Sequence, residues 1–514
     1  MRRLGFMVLV AVISAASSST AADVISLKLR YRNETAKNSG RFHATESPVD
    51  WQAKQTAIIV CDMWDEHWCK GATARVAEMA PRMNEVLKAA RDKGVLVIHC
   101  PSSCLEPYDG TPQRRLAQQA PPVATARPIE GWRHLDPSRE GPLPIDDSDG
   151  GCDCQPQCEQ ASPWKRQIAA LEIAAGDAIT DSAEAIYLMR QRGIKNVIIL
   201  GVHTNMCVLG RPFSIRQLVE QGQNVALMRD MTDTMYNSRQ APHVSHFSGT
   251  DLVVEHIERY WCPTLTSNDF TGDGEFRLAA DTRPHVAILM AEDEYDTART
   301  LTEFSDKRLR KDFRVSLIYG SETDRDDLPG IEAAREADVV VVSVRRRQLP
   351  ADQLSVLRQH IAEGKGVVGI RTASHAFSPR DEAETAVGKE SWPKFDRDVL
   401  GGNYTGHYGN KSQHGDRTMV RVLPAARKHP VLAGAPENEF VTQSWLYKVS
   451  PLAATATPLM TGHVEGHDSP EPVAWVNSSG KSRVFYTSLG HAEDFKLPAF
   501  NTLLENGIRW AVHR

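Results

Sequence analysis

The sequence predicts an α/β protein of two domains, each a mostly parallel sheet sandwiched by helices. Three observations carry this expectation. A chain of 514 residues exceeds what one ordinary hydrophobic core accommodates. Short, apolar, β-rich runs alternate with longer helical patterns in both halves. Between the halves, residues 268–283 form a polar, glycine-containing break expected to be a linker.

The first residues, Met1-Arg2-Arg3, an apolar run from Leu4 to about Ala16 and the small-residue Thr20-Ala21-Ala22, have the layout of a signal peptide over 1–22. Export to the periplasm or outside the cell is expected, the mature chain starting near Asp23. The run is shorter than the roughly 20 apolar residues a span needs, so no stable membrane anchor is expected. The first domain then covers 23–267. It begins with a strand at Thr56–Cys61 and a helix over about 74–93. A strand at 95–99, a helix around 183–192, a strand at 197–200, a helix over about 213–221 and a strand at 225–228 follow. Strands this apolar suit a parallel sheet covered on both faces. From about 101 to 163 the pattern fails among prolines and Asp/Gly turns, which predicts an insertion acting as a lid or subunit contact.

The second domain, 284–514, restarts with strands at 285–290 and 315–318 around a helix over 297–311. Strands at 339–342 and 366–370 flank a helix over 351–363, and a strand at 483–491 and an amphipathic helix over 498–512 close the chain. The composition is 24% charged and 41% hydrophobic with a net charge of -5, which is that of a soluble globular protein and gives no pull toward nucleic acid.

Of nine cysteines, Cys152, Cys154 and Cys158 cluster in Gly-Gly-Cys-Asp-Cys-Gln-Pro-Gln-Cys. A disulfide-stapled loop, for example Cys152 to Cys158, is favoured over zinc, because no Cys/His partner at ordinary zinc spacing follows the cluster. The adjacent run Asp146-Asp147-Ser148-Asp149-Gly150 lacks the closing Glu of an EF-hand loop and reads as a solvated turn.

Ligands of open parallel sheets bind beyond the carboxyl ends of strands. Asp62 directly follows the strand Thr56–Cys61, and Cys207 sits in the turn after the strand at 197–200. Lys165 precedes the helix leading into that strand. A thiol becomes a nucleophile when a base takes its proton and a cation favours the anion, so Asp62 and Lys165 fit as base and orienting cation for Cys207. Backbone N–H groups of His203 and Cys207 are placed to hold the developing oxyanion, and Trp64, Trp68 and His203 to wall the pocket.

Two segments, Ile58-Ile-Val-Cys-Asp62-Met and Gly193-Ile-Lys-Asn-Val-Ile-Ile-Leu-Gly-Val-His-Thr-Asn-Met-Cys207-Val, resemble the isochorismatase-like cysteine hydrolases over about 56–256. The resemblance implies a triad of Asp62, Lys165 and Cys207, a cis peptide at Val202–His203, and cleavage of an amide or related C–N bond. Two positions depart from the family. The segment Trp164-Lys165-Arg166-Gln167-Ile168 lacks the usual aromatic motif, which makes Arg166 a second candidate for the cation. Pro212 falls where the family continues its helix, so that helix is expected to start late or kink. Nicotinamidase relatives hold a metal through Asp and His. Here Asp65 and His67 are the nearby pair, with a solvated turn the favoured reading, so a divalent metal is compatible but not favoured and no cofactor is expected.

Gly364-Lys-Gly-Val-Val-Gly-Ile-Arg371, His429-Pro-Val-Leu-Ala-Gly434, Pro472-Val-Ala-Trp475 and Arg483-Val-Phe-Tyr-Thr-Ser-Leu-Gly-His491 resemble ThuA-like domains. Those share the flavodoxin-like class I glutamine amidotransferase fold and a link to sugar metabolism. The family fold's nucleophile turn falls at Ile370-Arg371-Thr372-Ala373, and no Cys follows Cys262, which excludes glutaminase chemistry. Arg371, His375, His407, His414 and His491 remain as a polar set. The expected partners are therefore a small amide-type substrate and, for the second domain, a carbohydrate. A homo-oligomer is compatible with both.

Overall fold

The computed structural model describes residues 24–380, 387–408, 417–436, 438–466 and 469–512. The expected signal peptide and His414 lie outside them. The first sheet has eight strands: β1 Val24–Glu34, β2 Phe42–Gln52, β3 Thr56–Cys61, β4 Leu96–Cys100, β5 Ala178–Ile179, β6 Asn196–Val202, β7 Asn224–Asp233 and β8 Thr264–Leu265. Their order is β2-β1-β8-β7-β6-β3-β4-β5. From β8 to β5 all neighbours are parallel, and every residue of β3 and β6 is buried. That is why these two strands read as unbroken apolar runs.

The hairpin β1–β2 adds an antiparallel edge that sequence patterning does not anticipate. Its outer strand, Phe-His-Ala-Thr-Glu-Ser-Pro-Val-Asp-Trp-Gln, is polar and contains Pro48. Proline lacks a donor N–H, and the edge of a sheet is where a strand tolerates it. The helix His246–Tyr260 was likewise not expected, because Gly249, Thr250 and Asp251 are poor helix formers. Its start is capped by Ser245, whose side chain accepts from Ser248 N–H, and buried Val253, Val254 and Ile257 hold it to the sheet.

Within the insertion only Glu106–Tyr108 and Pro112–Gln118 form helical turns. The segment is nevertheless anchored. Buried Glu140 accepts from Arg216 Nε at 2.7 Å, pairs with His256 Nε2 at 2.8 Å and accepts from Trp261 Nε1 at 2.9 Å. These bonds hold its carboxyl down near 2 against the opposing cost of burial. The expected disulfide staple is corrected: all nine cysteines, Cys152 and Cys158 included, are free.

The second sheet runs in the order Arg314–Tyr319, His285–Ala291, Val339–Val344, Gly366–Ile370, Ser482–Thr487, and these five strands are parallel. Beyond them Glu471–Ser479, Thr457–His463, Thr418–Val422 and Phe440–Thr442 extend it antiparallel. The second sheet is thus mixed, with a parallel half and an antiparallel half; the antiparallel strands mix polar, glycine and proline residues with apolar ones and left little signal. The helix Pro498–Ala511 covers the parallel part through Phe500, Leu503, Leu504 and Ile508.

Residues 268–283 are pinned rather than loose. Asp230 accepts from Phe276 N–H at 3.0 Å, and Arg283 bonds Asp251 and Asp281 at 2.9 and 2.7 Å. Among the described residues no helix is long and apolar enough to cross a membrane.

Candidate active site

Strands β3 and β6 are neighbours, with Cys61 paired to Gly201, so the residues after their carboxyl ends meet. Gly201 has φ +106°, and a Cβ there would stand 2.0 Å from Cys61 O, so only glycine allows the approach. Asp62, the first residue past β3, adopts φ +46°, a strained conformation for a residue with a side chain. Its carboxylate is wholly buried and accepts Ser102 N–H at Oδ1, 2.8 Å. Past β6 the Val202–His203 peptide is cis, and Cys207 opens the short helix Cys207–Gly210.

The cation beside this pair is Arg211. Its Nε lies 3.4 Å from Asp62 Oδ2, and it acts on the Cys207 thiol as well. Pro212 accounts for this placement. The residue before a proline is driven out of the helical region, and Arg211 has φ -64° and ψ 163°, ending the helix after one turn. A second helix, Ile215–Glu220, restarts behind the Ser214 cap. The expected late or kinked helix is therefore a full break, and the break turns the guanidinium toward Asp62. Trp132 of the insertion lies under Arg211 at 5.6 Å and so close to Gly210 that a Cβ there would stand 2.6 Å from the indole.

Lys165 and Arg166 are corrected as cation candidates. Both are exposed, and both present backbone N–H groups to Asp65 Oδ1, at 3.0 and 3.3 Å. The return of the insertion to the sheet fixes their main chain there and leaves their side chains on the surface. Sequence reasoning missed Arg211, although the Arg-Pro pair itself was a usable signal.

Electrostatics follow from the burial. Asp62 is pushed up by loss of solvent, opposed by Arg211 and by the Cys207 thiol. The Cys207 thiol is pushed far up, first by burial and then by Asp62, with Arg211 opposing. At Asp62 burial outweighs the guanidinium, so both members of the pair are pushed upward.

Trp64 is buried, donates Nε1–H to Ser102 O at 3.1 Å and stacks on Trp164 at 4.6 Å. His67 continues the stack, 5.9 Å from Trp164, and meets His203 edge-on at 4.8 Å. Burial holds His203 neutral, its pKa lowered to about 3, and its Nε2 is buried without a partner. Asp65 and His67 do not converge: Asp65 ties down the main chain of 165–166, whereas His67 Nδ1 accepts Cys69 N–H at 3.1 Å. The solvated turn expected for them is a half-buried aromatic stack instead.

In the second domain Arg371 occupies the turn after Gly366–Ile370 with φ +45° and is buried. It donates to Ser488 O at 2.8 Å and lies 4.2 Å from the Tyr295 ring and 4.8 Å from that of Tyr447. His375 stacks on Tyr404 at 4.6 Å, and burial lowers its pKa to about 3. His491 meets Tyr295 at 5.9 Å, and the exposed His407 lies 5.0 Å from Trp445. A cavity of about 310 Å³ opens beside His375, Tyr404, Arg346 and Asp396. Asp396, which sequence reasoning did not single out, is raised to about 7 by burial, and its Oδ1 has no partner.

Residues 313–511 match the ThuA family model, described as trehalose utilisation. No curated protein matches the chain. Among solved structures, a putative ThuA-like protein from Bacteroides uniformis is 18% identical, covering 47% of this chain and 95% of its own, with a TM-score of 0.34. A cysteine hydrolase from Pseudomonas syringae pv. phaseolicola is 19% identical, with coverages of 43% and 92% and a TM-score of 0.28. An isochorismatase family protein from Burkholderia thailandensis is 16% identical, with coverages of 42% and 93% and a TM-score of 0.26.

Proposed function

We propose that the protein is an exported cysteine hydrolase that cleaves an amide or related C–N bond in its first domain. The observation that carries this reading is the meeting of Cys207, Asp62 and Arg211 beyond the ends of two adjacent parallel strands. Cys207 Sγ attacks the carbonyl carbon while its proton passes to Asp62, and the oxyanion takes hydrogen bonds from the N–H groups of His203 and Cys207. Asp62 then returns the proton to the departing nitrogen, leaving a thioester on Cys207. The carboxylate next accepts a proton from water as it attacks the thioester; the C–S bond then breaks, the proton passes to Cys207 Sγ, and the acid leaves. Arg211 favours the ionised form of Asp62 between these steps, against the cost of burial.

The test is ammonia release from a panel of primary amides by the full chain and by Cys207→Ala. Turnover by the wild type that vanishes in the variant is expected, with an acyl adduct on the Cys207 peptide in mass spectra. Equal turnover by both proteins would sink the reading.

A second reading places carbohydrate binding in the ThuA-like half. The cavity beside His375, Tyr404 and Asp396 favours it, because stacked rings with polar edges suit a sugar's apolar face and hydroxyl rim. Calorimetry of the full chain against glucose and trehalose, with Tyr404→Ala as control, tests it. Binding lost in the variant supports the reading, and no binding counts against it.

A further inference from the structure

Four cysteines converge where the insertion meets the start of the long helix Lys70–Asp92. Cys69 is that helix's N-cap residue and stands 85 positions before Cys154 in the chain. The Sγ atoms of Cys69, Cys152 and Cys154 all lie within 4.8 Å of one another, and Cys69 Sγ is 3.9 Å from Cys154 Sγ. The Cys158 thiol is within hydrogen-bonding reach of those of Cys152 and Cys154. We propose that Cys69, Cys152, Cys154 and Cys158 form a tetrathiolate site for one zinc ion, which staples the insertion to the helix.

The spacing of Cys69, Cys152 and Cys154 is that of ligands sharing an ion, and Cys158 packs beside them to complete the set. Tetrahedral Zn–S bonds of about 2.3 Å put neighbouring sulfurs roughly 3.8 Å apart, whereas a disulfide needs about 2.05 Å. The surroundings are those of thiolates. Gly71 N–H donates to Cys154 Sγ at 3.3 Å. The N–H of Ala72 faces Cys69 Sγ, that of Lys70 faces Cys158 Sγ, and those of Cys154 and Cys158 face Cys152 Sγ. Each N–H donor, and the positive end of the 23-residue helix, favours a negatively charged sulfur and so a metal thiolate. An outer layer holds the loop in shape: Arg239 Nη2 donates to Cys152 O and Cys154 O at 3.4 and 3.3 Å.

Such an ion would do more than hold a loop. Trp68 and Met206 pack on the cysteine cluster, and Met206 directly precedes Cys207. The site therefore braces one wall of the candidate active site while the candidate nucleophile stays outside the ion's reach. It also keeps four thiols from pairing in an oxidising compartment.

The experiment uses the tag-free full chain purified with zinc in the growth medium and no chelator, and it reads metal by mass spectrometry. One equivalent of zinc per chain is expected, released stoichiometrically by a mercurial thiol reagent. Cobalt exchange should bring thiolate-to-metal charge-transfer absorption and tetrahedral visible bands. Cys69→Ser and Cys158→Ser should lose the ion, whereas Cys262→Ser, a buried cysteine far from the cluster in the chain, should keep it. Wild-type protein with no zinc, a disulfide joining any two of the four cysteines, or zinc retained in both serine variants would overturn the proposal. The wild-type measurements decide even where a variant fails to fold.

Discussion

Replacing Arg211 with Met probes the candidate triad at its least expected member. The guanidinium Nε stands 3.4 Å from Asp62 Oδ2, with the carboxylate wholly buried and the arginine about a quarter exposed. At an effective dielectric constant near 20, unit charges at that separation attract by about 5 kcal/mol. One pKa unit is about 1.4 kcal/mol, so removing the cation displaces the site's titration upward by at most roughly three to four units. Two branches then open. If Asp62 stays ionised, a Cys207 thiolate must form beside an uncompensated carboxylate. If Asp62 takes up a proton, the thiolate forms with neither cation nor base beside it. Both branches raise the cost of the thiolate. Alkylation of Cys207 by iodoacetamide, followed by mass spectrometry of its peptide at fixed pH, should therefore slow by about tenfold or more. Arg211→Lys should recover part of the rate, since an ammonium restores charge without the planar fork. Equal alkylation of wild type and Arg211→Met at every pH would refute the assignment.

Pro212→Ala removes the constraint that holds Arg211 extended, so the two short helices are free to join and the guanidinium to turn away. Alkylation should fall toward the Arg211→Met rate while the thermal midpoint holds or rises; a wild-type rate would show that Pro212 does not aim the arginine. Asp396 bears on the second domain. Burial raises its pKa from 3.8 to about 7, so the folded state binds the extra proton. Its stability contribution is intact below about pH 4 and is lost as pH rises toward 7, by about 4 kcal/mol in all. Asp396→Asn cannot ionise, so its gain in denaturation midpoint over wild type should be near nil at about pH 4 and largest at about pH 8. A gain independent of pH would contradict this.

The parallel strands of both domains were legible because burial on both faces makes them continuous apolar runs, as in Val339–Val344. Asp62 and Cys207 were legible for a related reason: each follows such a run, and parallel neighbours carry their carboxyl ends to one place. The edge hairpin and the antiparallel extension were not, because strands with an exposed face carry polar residues that read as loop.

Sequence alone determined the α/β class and which residues stand beyond the ends of two parallel strands. Only tertiary structure decided which cation joins Asp62. The family resemblance pointed to Lys165, but its main chain is fixed to Asp65 at the surface, while Pro212 directs Arg211 inward. The same holds for the cysteines. Local spacing within Cys152, Cys154 and Cys158 suggested a staple, and folding brings Cys69 from another element against Cys152 and Cys154. A pattern in one dimension records what neighbours along a strand or helix must be; it carries no record of which distant side chain fills the remaining corner of a site.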